Sequence, residues 1–253
     1  DYLLLRENGQ QPLAIIEAKD ESHSTGAGLQ QALEYAQILD IPFAYASNGH
    51  GFIEHDFLTG AERSLTMDEF PSEAELWSRY CHAKGITSHQ DAILSEPYHF
   101  DLFTQKRPWY FQRIAIDRTV EAVAKGQNRI LIVMATGTGK TFTAFQIIWR
   151  LLRTKTVRRV LYLADRNILI DQTMQQDFKP FEKIMTKVQG KVLDSSYEIF
   201  MSLYQQLAGD ENEEPFRQFK PEFFDLVVVD ECHRGSARAE SQWRKILNYF
   251  SSA

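Results

Sequence analysis

Apolar and polar positions fall into two rhythms along the chain. In the first, short apolar runs are broken by turn residues. Asp1-Tyr2-Leu3-Leu4-Leu5 and residues 12–19 predict two strands joined through Asn8-Gly9, a dipeptide that accepts the positive φ angles of a tight hairpin. Residues 29–39 place apolar side chains at helical spacing, and residues 41–49 predict a following strand. Ser72 is a fitting N-cap for a helix that continues through Tyr80, with Trp77 and Tyr80 on one packing face. Residues 107–112 open another helix.

The second rhythm begins at residue 130. Runs at 130–134, 159–166 and 224–231 predict buried strands, near-continuously apolar as parallel strands are. They alternate with helical spacing over 142–152 and 169–176, and residues 197–207 predict a short strand and then a helix. Such alternation predicts a parallel α/β sheet, whose ligands bind beyond the carboxyl ends of its strands.

Two groups of residues fall at such ends. Residues 134–141 read Met-Ala-Thr-Gly-Thr-Gly-Lys-Thr, between an apolar run and a helix. Strand, Gly-rich turn and helix is the setting of a phosphate loop. Thr136, Gly137, Thr138 and Gly139 would present backbone N–H groups to phosphate oxygens, the glycines letting the chain curl. The helix N-terminus adds its positive dipole end. Lys140 is expected to reach the β- and γ-phosphates, and the Thr141 hydroxyl to ligate Mg²⁺. Met134 stands where the strict pattern has its first glycine. Asp230-Glu231-Cys232-His233 closes the last apolar run. Asp230 is expected to hold Mg²⁺, Glu231 to polarise the attacking water, and His233 to link the nucleotide to a neighbouring domain. Upstream, Gln112 follows several aromatics and is expected to bond the adenine edge; an aromatic core segment explains the same residues. The cofactors read from these motifs are ATP and Mg²⁺.

The N-terminal segment carries different chemistry. Glu17 and Lys19, two apart in a strand, share a face, and a hairpin brings Asp1 beside them. Two carboxylates and a lysine make a metal-dependent phosphodiesterase set. Asp1 and Glu17 would hold Mg²⁺, and Lys19 would orient or help deprotonate the attacking water. Gln31 and Tyr35 lie one turn apart on the next helix. The acid–acid–lysine spacing alone also fits a strand end with solvated charges; the Gln31/Tyr35 pair and the strand after it favour the metal set.

With the adenine-contacting glutamine, the phosphate loop, Ala164-Asp165-Arg166 and Asp-Glu-Cys-His in this order, the second half resembles the first RecA-like motor domain of superfamily 2 helicases and translocases. With the nuclease-type set in front, residues 1–253 resemble the restriction (HsdR) motor subunit of type I restriction-modification enzymes. Phe52-Ile53-Glu54-His55-Asp56 and residues 163–173 extend the match. The resemblance implies a partial PD-(D/E)xK nuclease-like α/β domain at 1–66, a helical connector at 67–105 and an incomplete first RecA-like parallel α/β motor domain at 106–253. It implies ATP-dependent translocation of double-stranded DNA coupled to endonucleolytic cleavage of unmethylated DNA, in the cytoplasm, with methyltransferase (M) and specificity (S) subunits as partners. DNA cutting then falls to Asp1, Glu17, Lys19, Gln31 and Tyr35, and ATP hydrolysis to Glu231. The second lobe and its arginine finger are expected beyond Ala253, and a strand and helix before Asp1. An α-amino group at Asp1 would compete electrostatically with a metal there. Two other readings stay open: an N-terminal module that only docks partners or grips DNA, and a nucleotide-binding helicase module of a DNA repair protein.

Composition adds bounds. A net charge of −6 gives no bulk attraction to DNA, so a local groove would have to hold it. Arg150, Arg153, Lys155, Arg158 and Arg159 predict a solvated helix end, and residues 210–214 an exposed acidic loop. Cys81 and Cys232 lack ligand spacing and fit a reducing compartment. There is no apolar run of about 18 residues and no secretory leader, so no membrane span is expected.

Overall fold

A strand needs a partner as well as a pattern, and that requirement decides which of these elements form. A computed structural model describes residues 1–6, 11–102, 104–188, 196–209, 214–232 and 237–251, and the backbone alone at 168 and 237–242. Backbone contacts divide the chain into two units, Asp1–Lys125 and Gly126–Ala253.

In the first unit β1 (Tyr2–Leu5) lies antiparallel to β2 (Pro12–Ala18), which runs parallel to β3 (Phe43–Ser47). The sheet continues antiparallel through β4 (Gly51–Asp56) and β5 (Ala61–Thr66). The predicted turn at Asn8-Gly9 lies outside the described residues. Helix α1 (Leu29–Leu39) makes the crossover between β2 and β3. It buries Ala32 and Ala36 against Ile15, Ile41 and Ala44. Gly28 is its N-cap. A Cβ there would lie 2.6 Å from Glu17 Cγ, so the helix can come this close to β2 only over a glycine.

A second cluster of Phe43, Tyr45, Phe52 and Leu65 is closed by Leu76 from α2 (Glu73–Lys84). Ser72 caps α2 as expected, its hydroxyl accepting from the Glu75 N–H at 3.2 Å. Charge pins this helix to the sheet. Arg79 donates to Glu54 at 2.8 Å and to Asp56 at 2.7 Å, Arg63 donates to Glu54 at 2.9 Å, and the Tyr45 hydroxyl donates to Glu54 as well. Glu54 is 1 % exposed. Burial pushes its carboxyl up, but the hydrogen bonds from Arg79, Arg63 and Tyr45 outweigh burial and hold it at about 2. Trp77 and Tyr80 stack with centroids 5.1 Å apart. Trp77 Nε1 donates to Asp91 on α3 (Ser88–Leu94), and the Tyr80 hydroxyl to Glu121 on α4 (Tyr110–Ala124), each at 2.9 Å.

The second unit holds a parallel sheet of β6 (Val160–Ala164), β7 (Met185–Lys187), β8 (Ile199–Leu203) and β9 (Leu226–Val229), ordered β7-β8-β6-β9. The helices are α5 (Lys140–Arg153), α6 (Asn167–Gln175), α7 (Tyr204–Ala208) and α8 (Ala237–Tyr249). Phe200, Phe216, Phe219, Phe224, Ile246 and Phe250 share one core. The acidic residues 210–213 lie outside the described residues.

Three expectations need correction. Residues 130–134 form no strand; Leu131 is 76 % and Val133 86 % exposed. Their β-branched pattern favours extended backbone, but a strand exists only where a neighbour takes up its N–H and C=O groups. The 224–231 run does form β9, yet its residues are half-buried, because β9 is the last strand of the ladder. Arg150 is no solvated helix end: it is 1 % exposed on the inner face of α5, beside Ile147, Ile148 and Leu151.

Two substitutions test these contacts. Arg79→Ala should destabilise the first unit by about 3 kcal/mol, because it strips a buried carboxylate of its main partner. Glu54 titrates near 4.5 unfolded and about 2 folded, so its contribution is complete above 4.5 and is lost as pH falls toward 2. Hydrogen exchange should therefore show β4 amides losing protection at a higher pH in Arg79→Ala than in the parent; superimposable profiles would refute the clamp. Gly28→Ala should cost about 1–3 kcal/mol through overpacking. Gly26→Ala is the control, since its Cβ would sit 3.6 Å from Ile53 Cγ1, an ordinary contact. Equal melting temperatures for the two variants would show that the approach at Gly28 is not tight.

Candidate active sites

The carboxyl ends of β6 and β9 set the first site. The Asp230 N–H donates to the Leu163 carbonyl at 2.9 Å, which carries the β6–β9 ladder one residue past β9. Glu231 then turns left-handed at φ 53°. That conformation is uncommon for any residue but glycine, and it ends the extended backbone that would put the two acids on opposite faces of the strand. Lys140 Nζ lies 3.3 Å from Glu231 Oε1. The Tyr162 hydroxyl, from the middle of β6, donates to Asp230 Oδ2 at 2.8 Å. Burial first, and then the charge of Asp230, push the Tyr162 phenol well above its ordinary range, so it stays protonated.

The loop leading into α5 has the curl that glycines allow: Gly137 has φ 81° and Gly139 φ 80°. Gly139 caps α5, and its carbonyl accepts from the Thr143 N–H at 2.9 Å. The Thr138 hydroxyl donates to the Ala135 carbonyl at 2.6 Å, closing the turn, while Thr136 is exposed at its tip. The first N–H groups of α5 have no partner within the helix and are the natural anion donors. Lys140 of the loop therefore meets Glu231 of the paired acids, with Thr141 next to the one and Asp230 next to the other. Thr141, beside Lys140 at the start of α5, and Asp230, beside Glu231, are the hydroxyl and the carboxylate available to a cation there. Gln112 belongs to the first unit. It is buried, and its Oε1 accepts from the Trp109 N–H at 2.9 Å to cap α4. His233 lies outside the described residues.

The second site is a chain of polar contacts under α1. Lys19 Nζ donates to Glu17 Oε1 at 2.7 Å and to Gln31 Oε1 at 3.1 Å. Gln31 Nε2 in turn donates to the Tyr35 hydroxyl at 3.1 Å. Glu17 is 2 % exposed, and its Oε2 is buried without a hydrogen-bond partner. A buried carboxylate oxygen left this way is costly and is the kind of atom a cation would take up. Tyr2 pairs with Ile16 and Leu3 with Ile15 in the antiparallel ladder, so Asp1 falls opposite Glu17 one step on. Asp1 itself is exposed. Among the described residues no group of three or more His, Cys, Asp or Glu is close enough to hold a metal by itself. Each pair of acids or hydroxyls would leave the remaining positions to water or phosphate.

Two participants escaped the sequence reading. Tyr162 sits inside an apolar strand and reads as core, although a buried tyrosine needs a partner for its hydroxyl. Gly28 sits in a loop with several other small residues, and nothing local marks it.

Comparisons with known proteins show what the chain is similar to. A family model described as "Type III restriction enzyme, res subunit" matches residues 105–253. The type I restriction enzyme EcoAI endonuclease subunit of Escherichia coli is 54 % identical over 247 residues, covering 96 % of this chain and 30 % of that protein. The EcoKI endonuclease subunit of Escherichia coli K12 is 25 % identical over 329 residues, covering 100 % of this chain and 26 % of the relative. The chain thus spans less than a third of these curated relatives. A solved fragment of an HsdR subunit of a type I restriction enzyme from Vibrio vulnificus YJ016 superposes with a TM-score of 0.80 at 40 % identity, covering 99 % of this chain and 43 % of that one. The chain belongs to the restriction-enzyme res-subunit family, with endonuclease (HsdR) subunits of type I restriction enzymes as its homologues.

Proposed function

We propose that the chain contributes a PD-(D/E)xK-type nuclease module (1–66), a connector (67–105) and a first motor lobe (106–253) to a type I restriction subunit. That subunit translocates double-stranded DNA by hydrolysing ATP and cleaves the DNA when unmethylated. The observation that carries the reading is the 3.3 Å approach of Lys140 to Glu231, which joins the phosphate loop and the paired carboxylates at one sheet end.

In this reading the N–H groups of residues 137–141 bind phosphate oxygens, and Lys140 binds the β- and γ-phosphates. Phosphate and carboxylate compete for the one ammonium group, so triphosphate binding opens the Lys140–Glu231 pair. Glu231 then has an oxygen with which to orient the attacking water and accept its proton. Thr141 and Asp230 would hold one Mg²⁺; Glu17, joined by Asp1, would hold another. The ion supplies charge neutralisation at the phosphates in the first site and Lewis-acid activation of water in the second. Lys19 is held by Gln31, which is held by Tyr35, so the ammonium is oriented before DNA arrives.

The partners proposed are DNA and the methyltransferase and specificity subunits, and the compartment is the cytoplasm. Among the described residues no helix is long and apolar enough to cross a membrane.

The test uses the full-length protein with its partner subunits on unmethylated circular DNA, with and without ATP. Lys140→Ala should lower ATP turnover at least about 100-fold and cleavage with it; undiminished turnover would sink the motor assignment. Glu17→Gln should keep ATP turnover and abolish cleavage. Cleavage that persists would leave the motor intact and make the N-terminal module a docking or DNA-gripping element.

A further inference from the structure

The first unit holds a cavity of about 380 Å³, large enough for a small organic molecule. It is lined by Pro12 and Leu13 at the start of β2, by the last turn of α1, and by side chains of α2 and α4. Glu17 and Lys19 stand at the other end of β2, and Gln31 in the first turn of α1. The cavity is therefore separate from the second candidate site. Gln37, Asp40 and Arg118 line it and are exposed, which marks its mouth.

Most of the wall is apolar or aromatic, with Leu13, Ile41, Leu94 and Trp77 in it. Its charges are unevenly matched. Arg118 grips Asp40 through two hydrogen bonds, at 2.6 and 2.7 Å. Glu121 is paired with Lys125 and accepts from the Tyr80 hydroxyl at 2.9 Å. Asp117, one turn from Arg113 along α4, accepts from the Tyr98 hydroxyl at 2.7 Å. Two cations in the lining are left over, Arg113 and Lys84. Among the described residues neither enters an ion pair, and Arg113 Nε is buried without a hydrogen-bond partner.

A buried guanidinium nitrogen in that state is unfavourable and needs a reason. A methionine would fill similar space without burying a donor. What arginine adds is a planar fork that matches the oxygens of a carboxylate or a phosphate. Lys84 adds a second positive charge to the same lining, and the apolar wall supplies the rest of a binding surface.

We propose that this cavity binds a small organic anion, with a carboxylate or phosphate head group on Arg113 and an apolar, ring-bearing body against the aromatic and aliphatic wall. The site stands apart from the nucleotide and nuclease readings and does not depend on either.

The experiment is calorimetric titration of the full-length protein with 2-naphthoate, with 2-naphthyl phosphate and with the neutral 2-naphthalenemethanol, in excess Mg²⁺-ADP to fill any nucleotide site. At least one of the anions should bind at a single site per chain, about tenfold more tightly than the alcohol; the tighter of the two identifies the head group. Arg113→Met should weaken that anion about tenfold, the size of one hydrogen bond to a charged group, and change the alcohol less than about twofold. The melting temperature of Arg113→Met should equal or exceed the parent's, because the buried nitrogen it removes has no partner to lose. Absence of anion binding overturns the proposal, as does equal affinity for anion and alcohol, or anion binding unmoved by Arg113→Met. A lowered melting temperature in the variant also overturns it, since Arg113 would then be a structural group.

Discussion

Parallel strand pairing is the constraint on which both candidate sites depend. A parallel pair cannot close through a short turn. It forces the chain to travel away and return, and it sets residues from distant segments at the same height. In the first unit α1 makes the journey between β2 and β3. Gln31 and Tyr35 therefore come to lie over Glu17 and Lys19. In the second unit β6 and β9 pair in register, with Tyr162 opposite Val228. Asp230 thereby stands within reach of the Tyr162 hydroxyl.

Two buried glutamates show how differently such a frame can use one residue type. Glu54 and Glu17 are almost equally inaccessible. Glu54 accepts from Tyr45, Arg63 and Arg79, on both oxygens, and its charge pins a helix to the sheet. Glu17 has one lysine on one oxygen and nothing on the other. Buried polar groups are nearly always satisfied, so the exception needs a reason. The first arrangement serves stability; the second leaves coordination capacity open beside a positioned lysine.

The first candidate site satisfies its charges internally in the same spirit. Lys140 rests against Glu231, and Asp230 against a phenol. Neither acid stands alone in the low-dielectric end of the sheet, where an isolated charge would be unfavourable. The left-handed turn at Glu231 lets two consecutive acids take different partners. A β-continuation would have sent them to opposite faces of the strand.

What the sequence determined by itself is what depends on near neighbours. Gly137 and Gly139 have the positive φ that their loop requires, Ser72 caps its helix, and the strands 2–5, 12–18 and 160–164 appear where apolar runs predicted them. The same local reasoning grouped Lys140 with Asp230-Glu231 and Glu17 with Lys19, because motif spacing encodes strand ends and shared faces. Tertiary structure decided everything that needs a partner from elsewhere in the chain. It left 130–134 unpaired, made β9 an edge, and drew Arg150 inside. It also gave the Tyr162 hydroxyl its carboxylate partner and Gly28 its close approach to Glu17. Periodicity reports which face of an element prefers burial. Which atoms it then meets is set by ladder order and crossover path, and no window of adjacent residues contains those.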